Sequence, residues 1–351
     1  MKITIVGSGL IGTSMGLSLR GHGHSINFED IEPAQKDIAQ DLVGSRFEGE
    51  SDLVVIATPA VEVIGALKSA YEANPQSKFI EISGLKSELL REVDKISGLR
   101  EKFCATHPMA GREISGATAA RADLFEGRTW ILTPGESTSP EVIQVAKTII
   151  SQMGATVLTR TAGEHDRAIA LVSHLPQVLS SLTASALVGK DQKDIDLSGQ
   201  GLRDVSRLGE SSPELWRELL ISNRAELLPL LKDIENELSK LISNIDHGDK
   251  DAVGEFLRKG NLGRSYIPGK HGGKRRDYSY LPIVIDDKPG QLAKIVDECA
   301  RANVNIEDLN IEHSPGQETG LITLALSRED AEVLHAQLQK NGWRVHEAFT
   351  R

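Results

Sequence analysis

The chain has 351 residues and a formal net charge of −10, and only two of its residues are cysteines. This acidic balance argues against a protein that binds nucleic acid or an anionic membrane surface. The length predicts two or three domains, each able to bury a core of its own.

The cysteines and the first residues bear on where the protein works. Cys104 and Cys299 lie far apart and fit neither a C-x-x-C motif nor a metal-ligand spacing, so we expect reduced thiols and no metal site. Met1 and Lys2 lead directly into an apolar run, which leaves no room for a signal peptide. No apolar run approaches the roughly 20 residues that a membrane-spanning helix needs. The sequence therefore predicts a cytoplasmic protein.

The first predicted strand, residues 3–6, leads into a G-x-G-x-x-G pattern. Gly7 permits a tight turn, Gly9 lets backbone N–H groups approach a pyrophosphate, and Gly12 lets the following helix pack closely on the strand. The pattern is typical of a dinucleotide-binding unit and predicts a nicotinamide or flavin cofactor. The predicted cofactor loop consists of Gly7, Gly9, Leu10, Ile11 and Gly12.

An acidic residue ends the second predicted strand, residues 25–30. Asp30 lies 18 residues after Gly12, where a carboxylate binds the adenosine ribose hydroxyls and repels the 2′-phosphate of NADP. We therefore expect NAD as the cofactor. Glu29 could serve in place of Asp30, and the alternative is that both are solvated acids at a strand end.

Residues 1–160 alternate short apolar runs with helical patterns, which predicts a Rossmann-type α/β domain with a mostly parallel sheet. Ligands of such sheets lie at the carboxyl ends of the strands. The loops that matter most are therefore Thr58 with Pro59, residues 83–86 and residues 106–111. We assign Thr58 and Pro59 to the cofactor site.

Residues 161–257 carry apolar side chains at i, i+3 and i+4 spacing, so the second domain is predicted to be all α-helical. Such an extended segment buries its apolar stripes best against the nucleotide domain and a second subunit, which predicts a homodimer. Residues 258–277 are glycine-rich and basic and are interpreted as a linker. Their charge suggests nucleic acid, but the acidic whole chain and the lack of interleaved aromatic residues argue against it.

The last predicted domain, residues 278–351, combines strands and helices. The strands are expected at residues 278–285, 304–312, 320–326 and near 343–346, and the helices at residues 291–303 and 328–341. This βαββαβ order predicts a ferredoxin-like sandwich.

A loop in this last domain carries a resemblance to a known module. Asp287-Lys288-Pro289-Gly290-Gln291-Leu292, with Asn305-Ile306-Glu307-Asp308, resembles an ACT domain, which commonly binds amino acids. Proline and glycine set a tight turn whose N–H groups, at a helix N-terminus, can receive a carboxylate. The resemblance implies an amino-acid effector at Asp287, Pro289, Gly290 and Asn305. The same loop could instead be a structural turn in a module that only mediates assembly.

Four short motifs in the first two domains carry a second resemblance. They are Ser83-Gly84-Leu85-Lys86, His107-Pro108-Met109-Ala110-Gly111, Ser173-His174-Leu175-Pro176-Gln177 and Asp204-Val205-Ser206-Arg207. In this order, between the glycine pattern and the ACT-like module, they make almost the whole chain resemble prephenate dehydrogenase. The resemblance implies NAD-dependent oxidative decarboxylation of prephenate to 4-hydroxyphenylpyruvate in tyrosine biosynthesis, with tyrosine as the expected effector.

The residue types in these motifs fit that reaction, in which a hydride leaves the carbon that bears the hydroxyl while a carboxylate leaves as CO₂. His107, beside Pro108 at a strand end, is the expected acceptor of the hydroxyl proton, because the intrinsic pKa of histidine is near neutral. In the family pattern Ser83 lies close to the nicotinamide and the substrate hydroxyl. Arg207 is the expected carboxylate clamp, and Asp204 would hold it in place. The alternatives are a structural histidine, a helix cap at Ser83 and a solvated Asp204–Arg207 pair.

Three further residues complete the predicted substrate site. His174 is expected to support the pocket from the helical domain, and Glu113 to line its entrance. Gln177 stands where many prephenate-specific relatives carry a second histidine. A neutral glutamine could tolerate the ammonium group of arogenate better than a histidinium would, so arogenate is the alternative substrate.

Two other interpretations stay open. A β-hydroxyacid-type dehydrogenase would need a catalytic lysine on a helix of the second domain, and it gives no reason for the C-terminal module. A non-catalytic sensor of NAD and an amino acid would need a damaged active site, whereas His107, Ser83 and Arg207 are all present.

Overall fold

The computed structural model describes residues 1–111, 114, 116–267, 278–312 and 318–350. The chain divides into two compact units, Met1–Ser243 and Asn244–Arg351. None of the helices in the described part of the chain combines the length and the apolar character that a membrane crossing needs.

One sheet of seven strands organises the first unit. The strands are β1 (Lys2–Val6), β2 (Ser25–Glu29), β3 (Leu53–Ile56), β4 (Lys78–Glu81), β5 (Phe103–Pro108), β6 (Thr129–Thr133) and β7 (Thr156–Thr159). Their order is β2-β1-β3-β4-β5-β6-β7, and each neighbouring pair is parallel except β5 with β6. The helices between them are α1 (Leu10–Gly21), α2 (Pro33–Val43), α3 (Val63–Ala73), α4 (Ser87–Val93) and α5 (Pro140–Gln152). The mostly parallel α/β sheet predicted from the sequence is confirmed.

Apolar cores cover both faces of this sheet, because alternate strand residues point to opposite sides. On one face, Ile5 and Val55 belong to a buried cluster that also contains Met15 of α1. On the other face, Val54 and Phe79 are fully buried in a cluster that includes side chains of α3 and α4. With both faces covered, the carboxyl edge of the parallel strands is the place where a ligand can reach the sheet.

The chain from residue 160 to residue 267 is described throughout, and each of its regular elements is helical. The elements are α6 (Ala162–Ile169), α7 (Leu175–Ser185), α8 (Gln192–Ile195), α9 (Gln200–Ser206), α10 (Pro213–Ser222), α11 (Arg224–Asp246) and α12 (Lys250–Ser265). A π-helical turn, Ala170–His174, joins α6 to α7. The prediction of an all-helical segment after the first domain is confirmed.

The structure corrects the first part of the predicted linker. Helix α12 is capped by Asp249, whose Oδ1 accepts a 3.0 Å hydrogen bond from the Ala252 N–H, and it continues through residues 258–265. Gly260 and Gly263 weaken a helix, but most residues around them are good helix formers. The rest of the predicted linker, residues 268–277, lies outside the described residues.

A small antiparallel sheet organises the second unit. Its elements are β8 (Ser279–Asp286), α13 (Gln291–Arg301), β9 (Asp308–Glu312), β10 (Thr319–Leu326), α14 (Arg328–Lys340), β11 (Arg344–Val345) and β12 (Phe349–Thr350). The strand order is β11-β8-β10-β9, and β12 also pairs with β8. Ile283 of β8 faces Ile322 of β10, and both are buried with Ile295 and Leu334 of the two helices. The predicted order of strands and helices is therefore observed, with β12 as an additional strand.

Candidate active site

The glycine loop between β1 and α1 is tight on one side and open on the other. Gly7 has a φ of +103°, and a Cβ there would lie 2.5 Å from the Ala57 carbonyl oxygen. A Cβ on Gly12 would lie 2.1 Å from the carbonyl oxygen of Gly7. A Cβ on Gly9 would meet no heavy atom within 4 Å. Glycine is therefore required where the loop touches the sheet, and space is available at Gly9.

The start of α1 and the loop after β3 fit a bound dinucleotide. Gly9 is the N-cap of α1 and no side chain caps the helix, so the first N–H groups, those of Leu10 and Ile11, suit an anion. The Thr58 hydroxyl oxygen is buried and has no hydrogen-bond partner among the described residues. Pro59 follows it at an exposed position. A bound phosphate and the groups attached to it would accept hydrogen bonds from the first N–H groups of α1 and from the Thr58 hydroxyl.

Asp30 lies directly after β2, and its carboxylate reaches the glycine loop. Its Oδ2 accepts hydrogen bonds of 2.6 Å from both the N–H and the hydroxyl of Ser8, and its Oδ1 accepts one of 2.9 Å from the Glu32 N–H. Burial acts to raise the pKa of Asp30, but these hydrogen bonds outweigh it and the pKa is lowered. Glu29 is exposed at the end of β2. The geometry favours Asp30 over Glu29 as the acid at a cofactor.

His107 is the penultimate residue of β5, at the carboxyl edge of the sheet. Pairing with Ile131 of β6 fixes its backbone, and its Nδ1 lies 3.0 Å from Nε2 of His165. Burial lowers the pKa of His107 well below the ordinary histidine value, and the positive charge of Lys86 lowers it further. The imidazole is therefore neutral near pH 7 and can accept a proton.

Two residues of α6 extend the hydrogen-bonded contacts of His107: His165 contacts His107, and Asp166 contacts His165. His165 is fully buried, and its Nδ1 lies 2.7 Å from Asp166 Oδ1. Asp166 also accepts hydrogen bonds from the backbone N–H groups of Lys86 at 3.0 Å and Ser87 at 2.8 Å. Burial acts to raise the pKa of Asp166, but the hydrogen bonds from His165 and Ser87 outweigh it, so the pKa is lowered. Asp166 is therefore an ionised carboxylate.

A buried ion pair shapes the loop after β4. Lys86 Nζ lies 2.6 Å from Glu81 Oε2, and both side chains are fully buried. The other carboxylate oxygen of Glu81 accepts a hydrogen bond from the Ser83 N–H. Burial lowers the pKa of Lys86, while the charge of Glu81 opposes that shift. Glu81 thus holds both ends of the loop that carries Ser83.

His174 is buried at the end of the π-helical turn. Its Nδ1 lies 3.2 Å from the side-chain nitrogen of Asn223, which also donates a 2.9 Å hydrogen bond to the Asp166 carbonyl oxygen. Because that carbonyl can only accept, the Asn223 amide nitrogen faces both groups, His174 Nδ1 accepts, and Nε2 carries the hydrogen. Burial lowers the pKa of His174, so it is a neutral donor. The Trp216 ring packs edge-on against it at 5.9 Å between centroids.

Arg207 begins a 3₁₀ turn, Arg207–Glu210, with its side chain exposed. Gln177 of α7 is buried and holds this turn. Its Nε2 donates a 2.7 Å hydrogen bond to the Leu208 carbonyl oxygen, and its Oε1 accepts one of 3.3 Å from the Ser211 hydroxyl. Gln177 was predicted to contact the substrate, whereas these hydrogen bonds give it a second task, the placement of the turn that carries Arg207.

Two predicted substrate residues are not brought to this site by described contacts. Asp204 is exposed on α9, and its Oδ1 accepts a 2.7 Å hydrogen bond from the Gln200 side chain. Its support of Arg207 stays a prediction. Glu113 lies outside the described residues.

The predicted effector loop lies between β8 and α13 of the second unit. Gly290 has a φ of +85° and is the N-cap of α13, which no side chain caps. Asp287 and Pro289 form an exposed part of the same turn. Asn305 donates a 3.1 Å hydrogen bond to the Glu307 carboxylate. The turn therefore has the uncapped helix N-terminus that the sequence predicts for a carboxylate ligand.

The site predicted from the sequence does not include four residues that the structure brings to it: His165, Asp166, Glu81 and Asn223. The run Glu164-His165-Asp166 opens a helix directly after the last strand of the nucleotide domain, and Glu164 forms a capping box with Thr161. A capping box accounts for the acid at 164 but leaves a histidine and an aspartate unexplained. His165 and Asp166 were therefore the signal in the sequence that could have indicated further site residues.

Two family models match this chain. The model described as prephenate dehydrogenase, nucleotide-binding domain, matches residues 15–159, and the model described as prephenate dehydrogenase, dimerization domain, matches residues 161–259. The chain belongs to the prephenate dehydrogenase family. The predictions of this family and of a nucleotide-binding first domain are confirmed, and the second match assigns the helical region to the family's dimerization domain. Both matches end before the small antiparallel sheet.

Similar proteins cover most of the chain. A probable prephenate dehydrogenase of Streptomyces niveus is 30% identical over 355 aligned residues, which cover 97% of this chain and 98% of that protein. The crystal structure of Synechocystis arogenate dehydrogenase is 28% identical with a TM-score of 0.66, and the match covers 76% of this chain and 100% of that one. Prephenate dehydrogenase of Aquifex aeolicus, solved with hydroxyphenyl propionate and NAD⁺, has a TM-score of 0.70 at 24% identity and covers 76% of this chain and 98% of that one. The last likeness shows the shared fold.

Proposed function

We propose that the protein catalyses the NAD-dependent oxidative decarboxylation of prephenate to 4-hydroxyphenylpyruvate in tyrosine biosynthesis. The observation that carries the proposal is His107, a neutral proton acceptor at the carboxyl edge of a sheet whose glycine loop fits a dinucleotide. Family membership supplies the reaction class. A cytoplasmic location stays a prediction.

The cofactor supplies an acceptor for the hydride that leaves the substrate ring. On the protein side, the glycine loop and the start of α1 bind the pyrophosphate, and Thr58 donates to the bound nucleotide. The Asp30 carboxylate, ionised and hydrogen-bonded to Ser8, binds the adenosine ribose. The same negative charge repels a 2′-phosphate, so NAD is preferred to NADP.

His107 and Ser83 act on the substrate hydroxyl. The Nδ1 atom of His107 faces His165, so Nε2 is the atom that accepts the hydroxyl proton as the hydride leaves the same carbon. Loss of CO₂ then completes the aromatic ring and leaves a phenolate oxygen, which takes the proton back. Ser83 orients the hydroxyl from a loop that the Glu81–Lys86 ion pair holds.

Cations and polar donors hold the two carboxylates of prephenate. The guanidinium of Arg207 offers two parallel donors to one carboxylate, on a turn that Gln177 fixes. The Nε2–H of His174 donates a further hydrogen bond from the buried wall of the helical region.

Arogenate is the second candidate substrate. It differs from prephenate by an ammonium group in place of the keto group, and the solved arogenate dehydrogenase covers three quarters of the chain at 28% identity. The uncharged Gln177 adds no positive charge that would repel an ammonium group.

A matrix of initial rates separates these activities. The rate of reduced-cofactor formation is measured with prephenate and with arogenate, each with NAD⁺ and with NADP⁺. We expect the largest kcat/KM for prephenate with NAD⁺. A larger value with arogenate would change the assigned substrate, and no reaction in any of the four mixtures would contradict the proposed function.

The second unit is proposed to be a ferredoxin-like, ACT-like regulatory module that binds tyrosine. Its strand order, with β8 and β10 in the centre and β11 and β9 outside, supports a ferredoxin-like sandwich. The uncapped N-terminus of α13 at Gly290 suits the carboxylate of an amino acid, near the predicted contacts Asp287, Pro289 and Asn305.

The helical region is proposed to form a homodimer. It matches the family's dimerization domain. On α11, Leu238, Ile242 and Ile245 are 53%, 59% and 61% exposed and lie four and three residues apart, which places them on one side of the helix. A second copy would cover this apolar stripe.

A further inference from the structure

Behind the proposed base, three side chains form one hydrogen-bonded row. His107 Nδ1 lies 3.0 Å from His165 Nε2, and His165 Nδ1 lies 2.7 Å from Asp166 Oδ1. The two imidazole rings are inclined at 59° with centroids 5.2 Å apart. Asp166 is in turn anchored by the backbone N–H groups of Lys86 and Ser87. The row therefore links β5 to α6 and to the loop after β4.

The positions of the hydrogen atoms in this row follow from the ionised Asp166 carboxylate at its end. An ionised Asp166 can only accept, so His165 Nδ1 must carry a hydrogen. In a neutral His165, Nε2 then has a lone pair and can only accept as well. His107 Nδ1 must therefore donate, which leaves the lone pair of His107 on Nε2. This is the tautomer that a base for the substrate hydroxyl needs.

The charged groups around the row make His107 a poor place for a positive charge. Burial and then the Lys86 ammonium lower the pKa of His107, and the Asp166 carboxylate opposes them. Glu81 on β4 is paired with Lys86, and the Cys104 thiol on β5 is neutral because burial raises its pKa to about 12. A positive charge on His165 would instead lie next to the Asp166 carboxylate.

We propose that His165 and Asp166 are positioning residues that fix the His107 tautomer and take over the charge that His107 acquires. The inference deepens the proposed dehydrogenase function and depends on it. When the substrate O–H bond breaks, its proton binds His107 Nε2, and the hydrogen on His107 Nδ1 passes to His165 Nε2. The hydride goes to NAD⁺, and the electron pair of the broken C–CO₂ bond enters the ring. Both proton transfers then reverse, so the phenol oxygen recovers its proton and none is gained or lost.

Two measurements test the proposal on the full-length protein and on His165→Gln. Two-bond ¹⁵N–¹H correlation spectra of histidine-labelled protein report the tautomer of each ring without any need for activity. The substituted amide can donate to Asp166 and accept from His107, but it cannot take up a proton. His24→Gln, at a partly buried histidine hydrogen-bonded to Gln152, is the matched control.

We expect His107 to be protonated on Nδ1 in the wild-type protein and in His165→Gln. We also expect kcat of His165→Gln to fall by about 10- to 100-fold with unchanged Kd for NAD⁺, since one proton-transfer partner is lost. The control should keep the wild-type kcat.

Three results would overturn the proposal. If His107 of the wild-type protein is protonated on Nε2, its Nδ1 cannot donate to His165 as proposed. A His165→Gln protein that keeps both the tautomer and more than half of kcat would exclude the proton transfer to His165. A variant that loses the tautomer together with the rate would confine His165 to orienting His107. An inactive wild-type protein would contradict the proposed function, and the spectrum would still decide the tautomer.

Discussion

His107 is suited to accept a proton because it is neutral and lies at the edge of the sheet where we propose that the cofactor binds. Its position at the carboxyl end of β5 follows from the strand, and its neutrality follows from burial and from the charge of Lys86. We propose the complementary task for Arg207, whose exposed guanidinium has the geometry to bind a substrate carboxylate. If these proposed roles hold, replacing His107 changes mainly kcat and replacing Arg207 changes mainly KM.

Replacing His107 should slow the chemical step. We expect His107→Asn to lower kcat by about 10²- to 10⁴-fold, which is the usual contribution of general acid–base catalysis. Steady-state kinetics with prephenate measures the change, and NAD⁺ titration should give an unchanged Kd. Retention of more than half the wild-type kcat would remove His107 from the mechanism.

Replacing Arg207 should weaken substrate binding. A charge-assisted hydrogen-bonded pair is worth roughly 1.5 to 3 kcal/mol, so Arg207→Ala should raise KM for prephenate by about 10- to 100-fold. Arg203→Ala, at an exposed arginine one turn earlier on α9, is the control and should leave KM unchanged. An unchanged KM in Arg207→Ala would reassign Arg207 to a structural role.

At the scale of elements, the site depends on how the β4 loop and α6 meet. Asp166 of α6 accepts from the backbone of the loop, and inside the loop the Glu81–Lys86 pair is fully buried. Removing one partner of such a pair leaves a buried, uncompensated charge. The loop that holds Ser83 is therefore also important for stability.

We expect Lys86→Met to lower the free energy of unfolding of the protein by about 3 to 5 kcal/mol, because Glu81 would stay buried without its partner. Urea titration followed by tryptophan fluorescence measures the change. Lys147→Met, at an exposed lysine of α5, is the matched control and should change stability by no more than about 0.5 kcal/mol. A loss below about 1 kcal/mol for Lys86→Met would mean that the ion pair contributes little.

The elements differ in how far the sequence could predict them. The strands and the glycine loop were predictable because apolar runs and glycine spacing are local signals, and the structure confirms both. The π-helical turn Ala170–His174 inside the predicted helical domain, residues 161–257, was not predictable, since the apolar periodicity of the sequence continues through it. The boundary between α10 and α11 at Asn223 was not predictable either, because no glycine or proline marks it in the sequence.

The candidate site divides in the same way. His107 and Ser83 could be singled out from the sequence because His107 lies at the end of a strand, Ser83 follows one, and both belong to family motifs. The contact of His165 with His107 could not be predicted, because the two residues are 58 positions apart in the chain and no periodic pattern in the sequence indicates it. Gln177 was predicted as a substrate residue, but its hydrogen bonds to Leu208 and Ser211 become visible only when α7 and the turn pack together.

At the scale of the whole molecule, the chain combines the unit that carries the candidate active site with a smaller unit that we propose to be a sensor. An effector changes activity only by binding one conformation better than another. Tyrosine also resembles the proposed reaction product, so we expect it to compete with the substrate as well. Inhibition through the second unit and competition with the substrate differ in how they depend on prephenate concentration.

We expect tyrosine to inhibit the full-length enzyme with a competitive and a non-competitive component, and Asn305→Ala to weaken only the non-competitive one. Asn310→Ala, at an asparagine of β9 that also pairs with a glutamate, is the control and should leave both components unchanged. Inhibition constants from rates over a range of prephenate and tyrosine concentrations give the result. Purely competitive inhibition in the wild-type enzyme would assign the second unit a structural role.

The most direct test of the proposed reaction is its product balance. Purified protein is incubated with prephenate and NAD⁺, and NADH, CO₂ and 4-hydroxyphenylpyruvate are quantified in the same sample. Oxidative decarboxylation at His107 predicts the three products in equal amounts, formed about 10²- to 10⁴-fold more slowly by His107→Asn. NADH formed without CO₂, or no NADH from wild-type protein, would contradict the account.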